Sequence, residues 1–185
     1  MFHDTRSKKL LIVAHCILNQ NSKLAGWAYY PGAVTNIAHL LIDSECGIIQ
    51  LPCPELIYLG LDRECEEGIN TTDGKVDTVI GHRMNDTRGK ALCRKLLEDV
   101  FLQVEEYRKH GFETVGIIGS NGSPTCGVET TWADDRAIPG PGVLMQLLQE
   151  GLKQRGMQVR ATGIKAYEPE KALTIISEFL DGIPD

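Results

Sequence analysis

The stretch Thr114-Val-Gly-Ile-Ile-Gly-Ser120 decides the fold. It is a short apolar run rich in β-branched residues, the mark of a strand buried on both faces. It comes directly after the surest helical period in the chain. Over residues 90–109, Leu92, Leu96, Leu97, Val100, Val104 and Tyr107 recur on one helical face, and Gly111 closes it. Similar strand runs lie at residues 9–15, at 47–52 with Ile48, Ile49 and Leu51, and at 158–164. A helix is expected after the Pro31-Gly32 turn, where Val34, Ile37, Ala38, Leu41 and Ile42 share a face; another covers 143–155 before Gly156. Pro169 opens a last one, at a position where a first helical turn tolerates proline. Residues 64–88 show no steady period and read as an irregular excursion holding at most one short helix, and a Gly- and Pro-rich loop comes after Ser120. Strands alternating with helices predict an α/β fold of βαβ units: one three-layer domain over residues 1–185, with a mostly parallel central sheet of about four to five strands.

Composition narrows the function. The 185 residues suit one domain, and the 42% hydrophobic content excludes a disordered chain. The net charge is −6, with no basic excess for neutralising phosphates, so a nucleic-acid polymer is not an expected partner, although a single base is not excluded. No segment approaches a bilayer span, and residues 1–9 do not lead into the long apolar stretch of a signal peptide. The expectation is a soluble, cytoplasmic protein without a membrane partner, monomer or homodimer. Its six cysteines are then reduced thiols, not a disulfide framework.

Three of those thiols share a topological position. Ligands of an open parallel sheet bind outside the carboxyl ends of its strands. Cys16 ends the first strand, Cys53 the second, and Cys126 lies in the loop leaving the third. No Cys-x-x-Cys or zinc-finger spacing is present, so only the fold joins them. Three thiolates can serve a zinc ion or an iron–sulfur cluster, and a cluster so held keeps one iron without a protein ligand. His15, beside Cys16, is a possible fourth ligand that strand alternation turns to the opposite face, and so reads as structural. Cys93, on the inner face of the long helix, Cys46, at a helix end, and Cys65, between Glu64 and Glu66, read as packing or surface thiols.

The stretches Ala14-His15-Cys16-Ile17-Leu18-Asn19, Cys53-Pro54-Glu55 and Gly122-Ser123-Pro124-Thr125-Cys126-Gly127 resemble the three signatures of the thiouracil desulfidase (TudS-like) family. The resemblance spans roughly residues 8–130 in motif order. It implies a [4Fe–4S] cluster bound by Cys16, Cys53 and Cys126 that removes sulfur from a thiolated base without net redox chemistry. It also implies Glu55 as catalytic acid/base and Ser123 as an assisting hydroxyl. Two segments depart from the family. Asn19-Gln20-Asn21-Ser22-Lys23 stands where better-known members carry Arg-Tyr-Asp-Gly, and Leu59-Gly60-Leu61-Asp62-Arg63 where they carry Gly-Leu…Pro-Arg. The resemblance therefore speaks more for the cluster than for thiouracil, and the expected partner is a small thiolated compound.

The chemistry of these residues matches that expectation. Converting C=S to C=O needs a soft sulfur acceptor, an activated water and a group that moves protons. Glu55 can move protons or, more simply, satisfy a helix start; Ser123 can bond a heterocycle or merely form a turn before Pro124. Trp27 and Trp132 can stack on a flat ring or pack a lid. Arg63 and Arg136 can orient a carbonyl or carboxylate, surface solvation being their ordinary state. Gly119-Ser120-Asn121-Gly122 lacks the residues of a phosphate loop. Two rival functions stay open on the sequence alone. One is an α/β hydrolase with a cysteine nucleophile, Cys126 at a sharp turn and a histidine base in reach, although none of His3, His39, His82 or His110 follows a recognisable partner motif. The other is a non-catalytic carrier of metal or sulfur.

Overall fold

A computed structural model describes residues 4–65, 71–72 and 74–183. In chain order the elements begin with β1 (Lys9–Val13), α1 (His15–Leu18), a 3-10 turn at Gln20–Ser22, α2 (Thr35–Asp43), β2 (Gly47–Gln50) and α3 (Pro54–Leu59). They continue with α4 (Lys75–Asn85), α5 (Thr87–Lys109), β3 (Glu113–Ser120), β4 (Thr130–Ala133), β5 (Arg136–Pro139), α6 (Val143–Gln154), β6 (Ala161–Ile164) and α7 (Pro169–Asp181). Four strands form one parallel sheet in the order β2-β1-β3-β6. Helices cover both faces, giving the three-layer α/β arrangement. A side chain at Gly116 would meet Phe179 of α7, and one at Gly119, on the other face, Met145 of α6. Leu11, Ile12, Ile117 and Ile118 are fully buried, as continuous apolar strand runs require.

The local differences from the expected elements have physical causes. Strand β1 stops at Val13, because the Ala14 carbonyl already accepts Ile17 N–H (3.1 Å) and the chain turns into α1. His15 is thus helical, and strand alternation does not govern it. Within the excursion expected at 64–88, α4 buries Val76, Ile80, Gly81 and Met84 on one face, and Asp86 caps α5 by accepting Gly89 N–H (2.7 Å). Residues 66–70 and 73 of that stretch lie outside the described residues. The loop expected after Ser120 contains an antiparallel hairpin, β4–β5, turned by Asp134 and Asp135 at φ 52° and 58°. Such a turn takes two left-handed residues, and two aspartates supply them in place of the usual Gly-containing pair. No helix among the described residues is long and apolar enough to cross a membrane.

The strand order sets the location of the site. From β1 the chain crosses to β2 on one side, and β3 pairs on the other, so connections diverge from the β1/β3 boundary and leave a crevice at the carboxyl ends. The loop leaving β3 is bolted to α6. Val143 and Leu144 donate their N–H groups to Pro124 O (3.1 Å) and Thr125 O (3.0 Å), filling vacant positions at the helix start. Gly142 sits so close that an added Cβ would fall 2.5 Å from Thr125 C and 2.6 Å from Thr125 O. Gly142→Ala is expected to cost about 1–3 kcal/mol through overpacking. Gly32→Ala, where nothing lies within 4 Å, should change stability by less than about 0.5 kcal/mol. Urea denaturation of both variants checks the pair.

Candidate active site

Cys16 is the second residue of α1, Cys53 the cap residue before α3, and Cys126 the buried member of the loop after β3. Because β2, β1 and β3 are neighbours, these three thiols leave adjacent strand ends. They stand within Coulomb reach of one another. Burial pushes the Cys126 thiol well above its ordinary range, and the charges of Cys16, Cys53, Glu55 and Cys93 add to the rise. Burial likewise pushes Cys53 up to about 12, with Glu55 and Cys16 adding to it against the Leu56 amide and Arg63. Among the described residues no three His, Cys, Asp or Glu side chains are close enough together for a single metal ion. Donors that each bind a different iron of a cluster stand further apart than donors sharing one ion.

Glu55 lies two residues beyond Cys53 in the first turn of α3, where the helix dipole favours a carboxylate. One oxygen, Oε2, faces Arg63 Nε at 3.4 Å; the other, Oε1, receives the Ser123 hydroxyl at 3.4 Å. Ser123 Oγ in turn accepts the N–H groups of Thr125 (3.2 Å) and Cys126 (3.0 Å). The turn expected before Pro124 is therefore present, and the same hydroxyl also addresses Glu55. With both lone pairs taken by amides, its proton is left to point at the carboxylate.

Arg63 is not the solvated surface residue of ordinary expectation. Its side chain is 2% exposed and donates to the carbonyls of Ser22 (2.7 Å), Gly60 and Leu61 as well as to Glu55. Its backbone has φ 59°, a left-handed conformation that this set of bonds holds in place. Arg136 is exposed on β5 and lies outside the pocket lining.

Beside Glu55 opens a pocket of about 90 Å³ whose lining includes none of the three cysteines. Glu55, Arg63, Ser123, Trp27 and Trp132 all line it. Both indoles also serve the scaffold: Trp27 Nε1 donates to Thr71 O (2.7 Å) and Trp132 Nε1 to Gly74 O (2.8 Å). Tyr29 and Tyr167, 5.6 Å apart between ring centroids, add two more flat walls. Sequence reasoning missed Lys23, Asp77 and Lys165, which also face this pocket. They come from three distant segments, and no spacing in the chain announces them.

The remaining candidates fall away from the pocket. His15 bonds Leu51 O through Nδ1 (3.2 Å) and faces Asn19 Nδ2 through Nε2 (3.5 Å), which fits a structural role. His39, His82 and His110 are exposed, His3 lies outside the described residues, and no described histidine lines the pocket. A cysteine hydrolase therefore lacks a histidine base among the residues facing this pocket. Cys93 is fully buried on α5 and packs in the core.

No protein-family model matches the sequence. The uncharacterized protein MJ0003 of Methanocaldococcus jannaschii is 39% identical over 123 residues, which cover 66% of this chain and 70% of that protein. The chain belongs to the MJ0003 family. That relative is itself uncharacterized, so membership brings no activity with it. A solved structure of a [4Fe–4S]-dependent thiouracil desulfidase, TudS, aligns over 92% of this chain and 99% of its own, at 17% identity and a TM-score of 0.41. A superposition that loose carries neither fold nor chemistry to the MJ0003 family.

The thiols give a testable pH dependence. Burial, with Glu55 adding to it, raises Cys93 from 9.0 to about 12. A raised thiol pKa means that the folded state prefers the neutral form. Its contribution to stability is complete below pH 9 and is lost as the pH climbs towards 12. Urea midpoints of the metal-free protein should therefore fall between pH 9 and about 11, and Cys93→Ala should flatten that decline. A Cys93→Ala profile parallel to the wild type would contradict the assignment.

Proposed function

We propose that this chain removes sulfur from a small thiolated compound, converting C=S to C=O with water at an iron–sulfur cluster held by Cys16, Cys53 and Cys126. The observation that carries the reading is three thiols at adjacent strand ends, within Coulomb reach of one another and of Glu55, whose carboxylate is hydrogen-bonded to Ser123 in the wall of a pocket. The donor set fits the group. It offers three soft sulfurs on three separate elements, and the hydroxyl of Thr125, one residue before Cys126, is buried with no hydrogen-bond partner. Inorganic sulfide is an acceptor such a hydroxyl can use. When bound, a cluster with three protein thiolates supplies an iron open to a thiocarbonyl sulfur as a soft Lewis acid.

The chain's own residues supply the rest. The aromatic rings of Trp27, Trp132, Tyr29 and Tyr167 give flat walls for a planar ring. Arg63 and Ser123 fix the Glu55 carboxylate from both sides, so its orientation is set before a substrate arrives. Glu55 takes a proton from the water that attacks the thiocarbonyl carbon and returns it to the departing sulfur. In balance, one thiocarbonyl and one water give one carbonyl and one hydrogen sulfide, with no electrons exchanged.

Anaerobic loading with iron and sulfide should give a brown protein whose iron is lost in Cys16→Ser, Cys53→Ser and Cys126→Ser and kept in Cys93→Ser. Glu55→Gln should keep the iron and lose about 10²–10⁴ of the sulfide-release rate. Retained release in Glu55→Gln would remove the carboxylate from the mechanism. A wild type that holds iron and releases no sulfide from any thioamide would make the chain a carrier.

A further inference from the structure

We propose that Lys23 is a further catalytic residue of this pocket, its ammonium donating a hydrogen bond to the sulfur that leaves the substrate. The inference rests on the desulfurising reading above and names the group that stabilises the charge that reaction creates.

The backbone brings Lys23 to the site by the same device that holds Glu55. The 3-10 turn at Gln20–Ser22 begins four residues beyond Cys16, and Gln20 Nε2 ties it back by donating to Cys16 O (2.6 Å). Lys23 closes the turn, its N–H bonding Gln20 O (3.0 Å). The preceding residue, Ser22, is buried and gives its carbonyl to Arg63 Nη2, on the guanidinium that also faces Glu55. Lys23 and Glu55 are thus referenced to one side chain.

The side chain stands within electrostatic reach of both the thiols and the carboxylates. Glu55, Asp77 and Ser123 share its pocket wall, and its charge acts on Cys16, Glu55, Asp77 and Cys126. The other pocket cations are engaged. Arg63 donates to Glu55 and to three carbonyls, and Lys165 faces Glu168 at 3.5 Å. Lys23 donates no side-chain hydrogen bond to any described residue. A lysine ammonium on this wall, within electrostatic reach of Cys16 and Cys126, has its donors free for a bound ligand.

The reaction needs such a donor. Water adds to the thiocarbonyl carbon and gives one proton to Glu55. The C–S bond then breaks with its electron pair on sulfur, and that proton and the remaining hydroxyl proton leave with sulfur as hydrogen sulfide. Lys23 keeps its own proton throughout and offers a hydrogen bond to the charge developing on sulfur, an interaction stronger in the transition state than in the neutral thioamide.

The test compares anaerobically loaded wild type, Lys23→Met and Lys23→Arg with 2-thiouracil and thiourea as probes. Iron per chain, kcat and KM, and the affinity for added hydrosulfide are read separately. Lys23→Met should keep its iron, lose about 100-fold in kcat with KM within about threefold, and bind hydrosulfide at least about tenfold more weakly. Lys23→Arg should recover most of the loss. An active wild type whose Lys23→Met variant stays within about threefold in kcat would overturn the assignment while leaving the desulfurising reading intact. Loss of iron in Lys23→Met would overturn it too, making the lysine structural. A wild type that holds no iron and turns over neither probe would mean that the underlying reading fails, and this inference with it.

Discussion

Backbone pairing on both sides of β1 is the constraint on which the other features depend. Val13 lies opposite Gln50 on one flank and Ile118 on the other, and the ladder runs one step further through Leu51 N–H to Val13 O and Ala14 N–H to Ile118 O, each at 2.8 Å. β1 and β2 therefore end level with one another, and β3 runs on past them to Ser120. The segments leaving them, a one-turn helix bearing Cys16, a helix start bearing Cys53 and a loop bearing Cys126, emerge at one edge. Any slip in that register would carry one thiol away from the other two, and the burial of Leu11, Ile12, Ile117 and Ile118 on both faces opposes such a slip.

A second layer of fixed contacts converts the shared edge into an oriented site. The start of α6 holds the Pro124 and Thr125 carbonyls, which positions Ser123, and Ser123 positions Glu55. Arg63 closes the circuit from the opposite side by binding Glu55, the end of α3 and the Ser22 carbonyl together. Burying one guanidinium against several acceptors is favourable only when its donors find partners, and Arg63 meets that condition. The proposed chemistry is thus held by polar contacts that also hold three loops together, so a change at Arg63 would disturb scaffold and chemistry at once.

The sequence announced the strands and the long helix because continuous apolar runs and a clean helical period leave little alternative. It overshot the first strand by two residues, since Ala14 and His15 look like strand while their carbonyls already accept the Ile17 and Asn19 N–H groups and turn the chain. The β4–β5 hairpin was hidden by its Asp134-Asp135 turn, which lacks the glycine that signals such turns. Cys16, Cys53, Cys126, Glu55 and Ser123 were legible as candidates because each sits at or just beyond a strand end. Lys23, Asp77 and the buried state of Arg63 were not legible. Their place depends on which carbonyls and charges the fold brings near them, and charged residues in polar segments read as solvated.

The central claim is that Cys16, Cys53 and Cys126 grip one iron–sulfur group with a coordination position to spare. Mössbauer spectroscopy of protein loaded anaerobically with enriched iron tests it most directly. The expected spectrum shows a cluster in which one iron differs from its companions for want of a thiolate, and changes when a thioamide is added. Iron sites that all look alike and ignore the thioamide, or a protein that takes up no iron while its three thiols stay reduced, would contradict it.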